Sequence, residues 1–453
     1  LTSLGCRRYN YLEMDFLNLK VKYRSNGATW FLIIFIFCFS VSCRNLGPDN
    51  PAENRLSEYI NSHSAKTLLL HDHRELLVYL KEFPRDQYNL CPTKNGFSFF
   101  VEKTDRLDGI KQIVSKGEVW EEAFLELMAK YIKPGSAVID AGAYIGTHAL
   151  AMAKMTGPRG RVYAFEPQKK VFRELVFNLI ENHNQNVIPL RFALGENTRI
   201  VEMDKSENGL DGIVRVGQGG DQAELRTIDS FKLRNISFIK IDVEGYEDQV
   251  LEGARQTLAD NRNPPILIEN VGNAHRLEYY GYTVRPLEYR DYLALPAPDY
   301  PLGSIISFID SGNADQFKSG FWAVAESWGS WIKGDTADVV LPLSQVPQRE
   351  LVLIGKVKAS INGKTPREEV DVFVNGRLID RWEFRNEEMV VKKTAIPISL
   401  LPKSVARPII RITFQIKNQF SRDELKLPAD ERLLGFGVNA LIIRELQGDK
   451  YPF

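Results

Sequence analysis

The sequence predicts an α/β protein with an all-β tail: a Rossmann-like parallel sheet covered by helices, then a β-sandwich of the jelly-roll kind. Three observations carry this. Between Ala137 and Glu269, near-continuous apolar strands alternate with helical stretches, the rhythm of a parallel sheet buried on both faces. Val138-Ile-Asp-Ala-Gly-Ala-Tyr-Ile-Gly146 reads as a buried strand entering a glycine turn and a helix, and Glu166 closes the next strand, the front half of a nucleoside-binding unit. Beyond the proline-rich Leu295-Pro-Ala-Pro-Asp-Tyr-Pro301 the chain turns to short alternating strands with no βαβ unit.

At 453 residues, two domains plus accessory segments are expected. Apolar (44%) and charged (26%) fractions are those of an ordinary globular chain. Lys+Arg and Asp+Glu balance at 58 each, which removes the basic footprint of a nucleic-acid binder, so no nucleic-acid partner is expected. Cys6, Cys38, Cys43 and Cys91 are scattered and suggest neither a disulfide framework nor a zinc site.

Residues 1–43 read as a leader. Met14 follows an apparent upstream stretch, Lys20, Lys22 and Arg24 form a basic region, and Trp30–Phe39 is an apolar run ending in Ser-Val-Ser-Cys43. The run is short beside the ~20 residues of a membrane-spanning helix. Cys43 resembles a lipobox cysteine, with Ser40 a departure from that pattern. A lipoprotein signal, an uncleaved anchor and a wrong start site all stay open. Membrane association through this segment is expected, with the catalytic part on the cytoplasmic side if it is active.

Residues 44–94 read as a linker with helical stretches at Ala65–Leu70 and Arg74–Leu80. Phe97–Val101 has strand character, and Glu118–Ile132 spaces Trp120, Phe124, Leu127 and Tyr131 as an amphipathic helix, stopped by Pro134-Gly135. Strands are predicted at Ala137–Asp140, Arg161–Glu166, Val187–Ala193, Phe238–Asp242 and Pro265–Glu269, with helices over 147–156, 168–183 and 246–260. Asn208-Gly209 and Asp211-Gly212 mark turns of an inserted β element over 199–217. In the tail, Val370–Val374, Asn375-Gly376 and Arg377–Trp382 give a hairpin, with further strands at Leu351–Ala359, Ile409–Ile416 and Gly437–Ile443.

The glycine spacing narrows the ligand. Asp140, Gly142 and Gly146 make Asp-x-Gly-x-x-x-Gly, with Ala143 in the middle, rather than the Gly-x-Gly-x-x-Gly that cradles a pyrophosphate. This disfavours a nicotinamide oxidoreductase. It suits S-adenosylmethionine, whose ammonium favours a nearby acid such as Asp140. Glu166, at the end of the second strand, is placed to hold the ribose hydroxyls. Asp242 and Glu244 follow the fourth strand at the lip of the crevice. Glu247 and Asp248 read more simply as caps of the next helix.

Asp140-Ala-Gly-Ala-Tyr-Ile-Gly146, Phe165-Glu-Pro167, Ala193-Leu-Gly195, Thr227-Ile-Asp229, Lys240-Ile-Asp-Val-Glu-Gly245 and Val250-Leu-Glu-Gly-Ala254 resemble the FkbM family of S-adenosylmethionine-dependent methyltransferases. The resemblance covers about residues 95–295, within a domain expected over 95–297, with Tyr144 standing where the family often has Asn. It implies a methyltransferase domain that O-methylates hydroxyls of sugars, polyketides or related metabolites. Asp140, Gly142, Tyr144, Gly146, Glu166, Ala193 and Asp242 are the expected cofactor residues. Glu244 is the candidate base, Asp242 its orienter or a cofactor contact, and the two roles are exchangeable. His148, on the first turn of the glycine-loop helix, is a rival base that reads more simply as structural. The carboxylates look scattered and no metal is expected.

Residues 305–453 are expected to form the sandwich. Glu326-x-Trp328-Gly-x-Trp331, Asn375-Gly376 and Arg432-Leu-Leu-Gly435 resemble, more loosely, a module of bacterial glycan-assembly enzymes. Trp322, Trp328 and Trp331 either stack on sugar or fill the core, and core filling is favoured for at least two. The competing reading for the whole chain is a non-catalytic, glycan-binding surface lipoprotein with a degenerate methyltransferase domain. The acceptor and the oligomeric state are not legible in the sequence.

Overall fold

The computed structural model describes residues 83–104, 107–205, 214–270, 275–287, 290–361, 366–401, 408–417 and 434–446. The leader, the helical stretches before residue 83, the turns at Asn208-Gly209 and Asp211-Gly212, and Arg432 lie outside the described residues. Among the described residues, no helix is long and apolar enough to cross a membrane.

The first part opens with the antiparallel hairpin β1 (Tyr88–Pro92) and β2 (Ser98–Glu102), then α1 (Gly109–Ser115) and α2 (Glu122–Ala129). The α/β alternation follows: β3 (Ala137–Ala141), α3 (Thr147–Thr156), β4 (Arg161–Phe165), α4 (Lys169–Glu181) and β5 (Val187–Leu190). An inserted sheet holds β6 (Phe192–Leu194), β7 (Arg199–Asp204), β8 (Val216–Gly217) and β9 (Gly219–Arg226). The main sheet resumes with β10 (Ile236–Ile241), α5 (Glu247–Glu252), α6 (Arg255–Asp260), β11 (Ile266–Glu269), α7 (His275–Tyr279), β12 (Tyr282–Pro286) and β13 (Asp291–Pro296).

Its strand order is β12-β13-β11-β10-β3-β4-β5, with β11 to β5 parallel and β12 and β13 antiparallel at one edge. The chain runs outward from β3 through β4 to β5, then returns to β10 on the other side of β3. Order therefore reverses between β3 and β10, and a crevice opens beyond the carboxyl ends of those two strands. Every residue of β3 and β10 is buried, which is why both read as apolar runs.

Three boundaries differ from expectation. The strand expected over 187–193 breaks after Leu190, because β6 leaves the main sheet to pair with β9. The helix expected over 246–260 breaks at Gly253, where a Cβ would lie 2.0 Å from the Gly195 carbonyl oxygen. The helix expected over 118–132 starts only at Glu122, after Glu121 in the left-handed region at φ 47°.

The second part comprises β14 (Ile305–Ser307), β15 (Lys318–Trp322), β16 (Ser330–Pro342), β17 (Leu351–Ala359), β18 (Glu368–Val374), β19 (Arg377–Phe384), β20 (Val390–Ile396), β21 (Ile409–Ile416) and β22 (Leu434–Glu445). One sheet runs β20-β17-β22 and takes up β14; the other runs β19-β18-β21-β16-β15. β16 belongs to both. Ser330–Lys333 pairs with β22 and Thr336–Pro342 with β21, with Gly334 at φ 102° between them. The inner faces share a core that includes Val370, Val372, Trp382, Phe414 and Phe436.

The tryptophans largely serve packing. Trp331 is buried, and Trp322 packs on Phe308 while donating to the carbonyls of Ser319 and Asp338. Trp328 is half-buried, edge-on to Trp331, with the Lys358 ammonium 3.6 Å from its ring centre.

Candidate active site

Asp140 lies on β3 directly beside Lys240 of β10. It is fully buried, and neither carboxylate oxygen has a hydrogen-bond partner. Burial pushes its pKa up, against the pull of the Lys240 ammonium 4.0 Å away. Lys240 and Asp242 are two residues apart and so share one face of the strand end. The Lys240 Nζ donates to Asp242 Oδ2 at 2.8 Å. Burial acts to lower Lys240, but the charges of Asp242 and Asp140 outweigh it and hold the ammonium above the usual lysine range. Burial likewise acts to raise Asp242, and Lys240 overrides it, so Asp242 stays ionised.

The chain then turns sharply. Glu244 sits at φ 56° and Gly245 at φ 92°. Glu247 Oε1 accepts the backbone N–H groups of Val243 and Gly245, closing the loop at the start of α5. Half-buried Glu244 is pushed up to about 7 by desolvation and by the charge of Asp242. Glu269, at the end of β11, is pushed up to about 8 by the same two causes. One carboxylate oxygen from each of Asp242, Glu244 and Glu269 lies within 4.8 Å of the others. This corrects the expectation of scattered carboxylates: two strand ends and a loop gather three of them, with Lys240 as their cation.

The glycine turn is fixed from both sides. Gly142, at φ 83°, passes so close to the exit of β10 that a Cβ would lie 1.7 Å from the Asp242 carbonyl oxygen. Glu166 is buried, and its two oxygens accept the N–H groups of Tyr144 at 3.1 Å and Gln168 at 2.9 Å. Glu166 thus ties the turn to the β4–α4 loop, in addition to any ribose contact expected of it. Gly146 caps α3 at φ 94°. Tyr144 reaches away with its hydroxyl on Asp108, the residue that caps α1, which accounts for a tyrosine in this turn.

Two further expected residues have partners of their own. His148 is buried, with its Nε2 3.3 Å from Glu121 Oε2, and lies close enough to Asp140 and Asp242 to act on both carboxyls electrostatically. Ala193 packs with Val201, Met203, Ala223 and Leu225 in the core of the inserted sheet. The sequence pattern does not single out Lys240, Glu269 or Asp291 as site residues. Asp291 lies opposite Glu269 and is pushed up to about 7, chiefly by burial and the charge of Glu121. The available signal was a lone lysine inside an apolar strand, two residues before Asp242.

A parallel sheet with its order reversed at β3 and acids gathered at the lip defines the class, a Rossmann-like α/β fold with a nucleoside-type crevice. The family comparison then narrows it: residues 140–293 match the methyltransferase FkbM domain. No curated protein matches the sequence.

Among solved structures, the chain is similar to methyltransferase FkbM from Methylobacillus flagellatus KT, at 19% identity over 41% of this chain and 52% of that one, with a TM-score of 0.25. It thus spans about half the length of that protein. It is also similar to Aeropyrum pernix fibrillarin with bound S-adenosyl-L-methionine (14% identity, 46% of this chain, 94% of that one, TM-score 0.26). A third similarity is to a methyltransferase from Aquifex aeolicus (15% identity, 39% of this chain, 88% of that one, TM-score 0.25).

Proposed function

We propose that the protein is an S-adenosylmethionine-dependent O-methyltransferase acting on a hydroxyl of a glycan or related metabolite, with Glu244 as general base. One observation carries the reading. Glu244, pushed up to about 7, stands with Asp242 at the lip of the crevice where the sheet order reverses. A base with a pKa near the working pH combines availability with driving force for proton transfer.

The residues present fit the methyl donor. Asp140 offers two buried oxygens without hydrogen-bond partners, suited to a cationic amine, beside a turn that Glu166 pins by two backbone hydrogen bonds. When bound, the donor supplies an electrophilic methyl group on a sulfonium. Asp140, the Gly142–Gly146 turn and Glu166 would hold it. Glu244 takes the proton that the acceptor hydroxyl loses. Asp242, fixed by Lys240, keeps the negative field that sets the affinity of Glu244 for that proton.

The acceptor class follows from the family resemblance. Association with a membrane through Trp30–Phe39 and Cys43 is part of the same proposal, and labelling with palmitate would read it. The decisive experiment is calorimetry of the full chain with S-adenosylmethionine, beside Asp140→Ala and Glu166→Ala. Heat with the parent and a weaker signal from both variants is expected, and no heat with the parent overturns the reading. A screen of nucleotide sugars and lipid-linked glycans with methyl-labelled donor then identifies the acceptor.

A further inference from the structure

β10 and β11 run parallel, with Ile239, Lys240 and Ile241 beside Ile266, Leu267 and Ile268. Continuing that register by one residue sets Glu269 next to Asp242, and one oxygen of each carboxyl group lies within 4.8 Å of the other. Two carboxylates this close cannot both be ionised without a large penalty, so the pair shares one proton. The surroundings decide which member keeps it. Asp242 has the Lys240 ammonium at 2.8 Å. The charges that act most on Glu269 are acids, Asp242 and Glu244 from the loop after β10 and Glu247 from α5, with Asp291 opposite it on β13 and the Lys240 ammonium engaged with Asp242. The Glu269 Oε2 is buried without a hydrogen-bond partner, a placement that a neutral carboxyl tolerates better than a carboxylate.

We infer that Glu269 is a positioning residue of the site, a carboxylic acid that holds the pair's proton and donates it to Asp242, so that Asp242 stays anchored on Lys240 and Glu244 is left to exchange its proton with the acceptor. The inference rests on the base assignment proposed above, and it adds what keeps that base in its working state. Neutral Glu269 places no second charge beside Glu244. Once Glu269 ionises, Asp242 gains a repelling neighbour and loses a hydrogen bond together.

The test needs neither cofactor nor acceptor. Infrared difference spectra of the full chain, taken from pH 5 to pH 10, report protonated carboxyl groups through their carbonyl band. Asp338 of the second part is also pushed up to about 8, so all spectra are taken in an Asp338→Asn background, where one such band is expected to be lost with a midpoint near 8, the value to which Glu269 is pushed. Glu269→Gln is expected to lack that component. In Asp242→Asn the neighbouring charge is gone, and the component should titrate at least one pH unit lower. In that background, a component near pH 8 that survives unchanged in Glu269→Gln overturns the inference. So does an unshifted one in Asp242→Asn, the variant that decides if Glu269→Gln fails to fold. Failure here leaves methyl transfer standing, and failed binding of S-adenosylmethionine leaves the shared proton standing.

Discussion

Glu244 occupies the left-handed backbone region at φ 56°, which costs a non-glycine residue on the order of 1–3 kcal/mol. The two hydrogen bonds to Glu247 hold the loop there, and the side chain stays beside Asp242 instead of relaxing into solvent. Because desolvation and Asp242 push Glu244 up to about 7, its basic form gains population as pH rises through that value. kcat/KM for methyl transfer is therefore expected to climb as pH rises through 7 and to decline above 8, where Glu269 loses its proton. Glu244→Gln should lower kcat by roughly 10²–10⁴-fold, the usual share of a general base, and flatten that climb. Binding of S-adenosylmethionine should change little, which separates a lost base from a collapsed site. The sequence shows Asp242 and Glu244 directly, as acids that follow an apolar strand without a gap. It hides Lys240 and Glu269, since their meaning depends on which strands lie side by side, and that is set by the order reversal at β3.

At the scale of elements, α4 shows how a polar stripe turns into core. Its Glu174 and Asn178 are fully buried because the β1–β2 hairpin and α1 lie over them. Asn178 and Asn182, one turn apart, accept the N–H groups of Phe100 and Ser98 of β2, so the helix binds the strand as a neighbouring strand would. Glu174 accepts from the Tyr88 hydroxyl at 2.8 Å and pairs with Lys111 of α1 at 3.1 Å, with both charged side chains fully buried. The apolar periodicity of 169–181 is legible in the sequence; the burial of its polar face is not, because β1 and α1 carry too little apolar pattern to announce themselves. Breaking one partner of a buried ion pair leaves a charge uncompensated, typically at about 3–5 kcal/mol, whereas replacing both with apolar side chains is often near neutral. Lys111→Met is expected to lower the urea-unfolding midpoint strongly at pH 7. The double variant Lys111→Met with Glu174→Met should recover more than half of the loss. An unchanged midpoint in the single variant would show that the pair contributes nothing to holding the hairpin.

At the scale of the whole molecule, the α/β and all-β parts are joined through a polar seam. The proline-rich stretch marks where one part gives way to the other, but nothing in the sequence shows that α7 and β12 pack onto β15, β16 and β21. Ser319 and Asp338 are paired across two strands, Asp338 and Thr413 across the next two, and Glu278 of α7 lies over them. Ser319 donates to Glu278, Thr413 donates to Asp338, and Arg411 donates to Glu278 at 3.1 Å. Ser319 also accepts the Val284 N–H of β12, and Lys318 is engaged with Asp315. Burial pushes both acids up. The guanidinium at 3.1 Å favours the charge on Glu278, so the proton rests on Asp338, which burial and the charge of Glu278 push up to about 8. The seam then carries one anion and one cation and is neutral. An acid whose folded pKa exceeds its ordinary value of 3.8 stabilises the fold fully below that value, and the contribution is lost as pH climbs toward 8. At about 1.4 kcal/mol per pH unit, the loss between pH 6 and 8 should be about 2–3 kcal/mol. Urea midpoints measured at those two pH values should show it as a decline. Asp338→Asn, which keeps an acceptor for Thr413 but has no proton to release, should reduce the decline by that amount. An equal decline in the variant would mean that the proton lies elsewhere, with Glu278, itself pushed up to about 7 by burial, the next candidate.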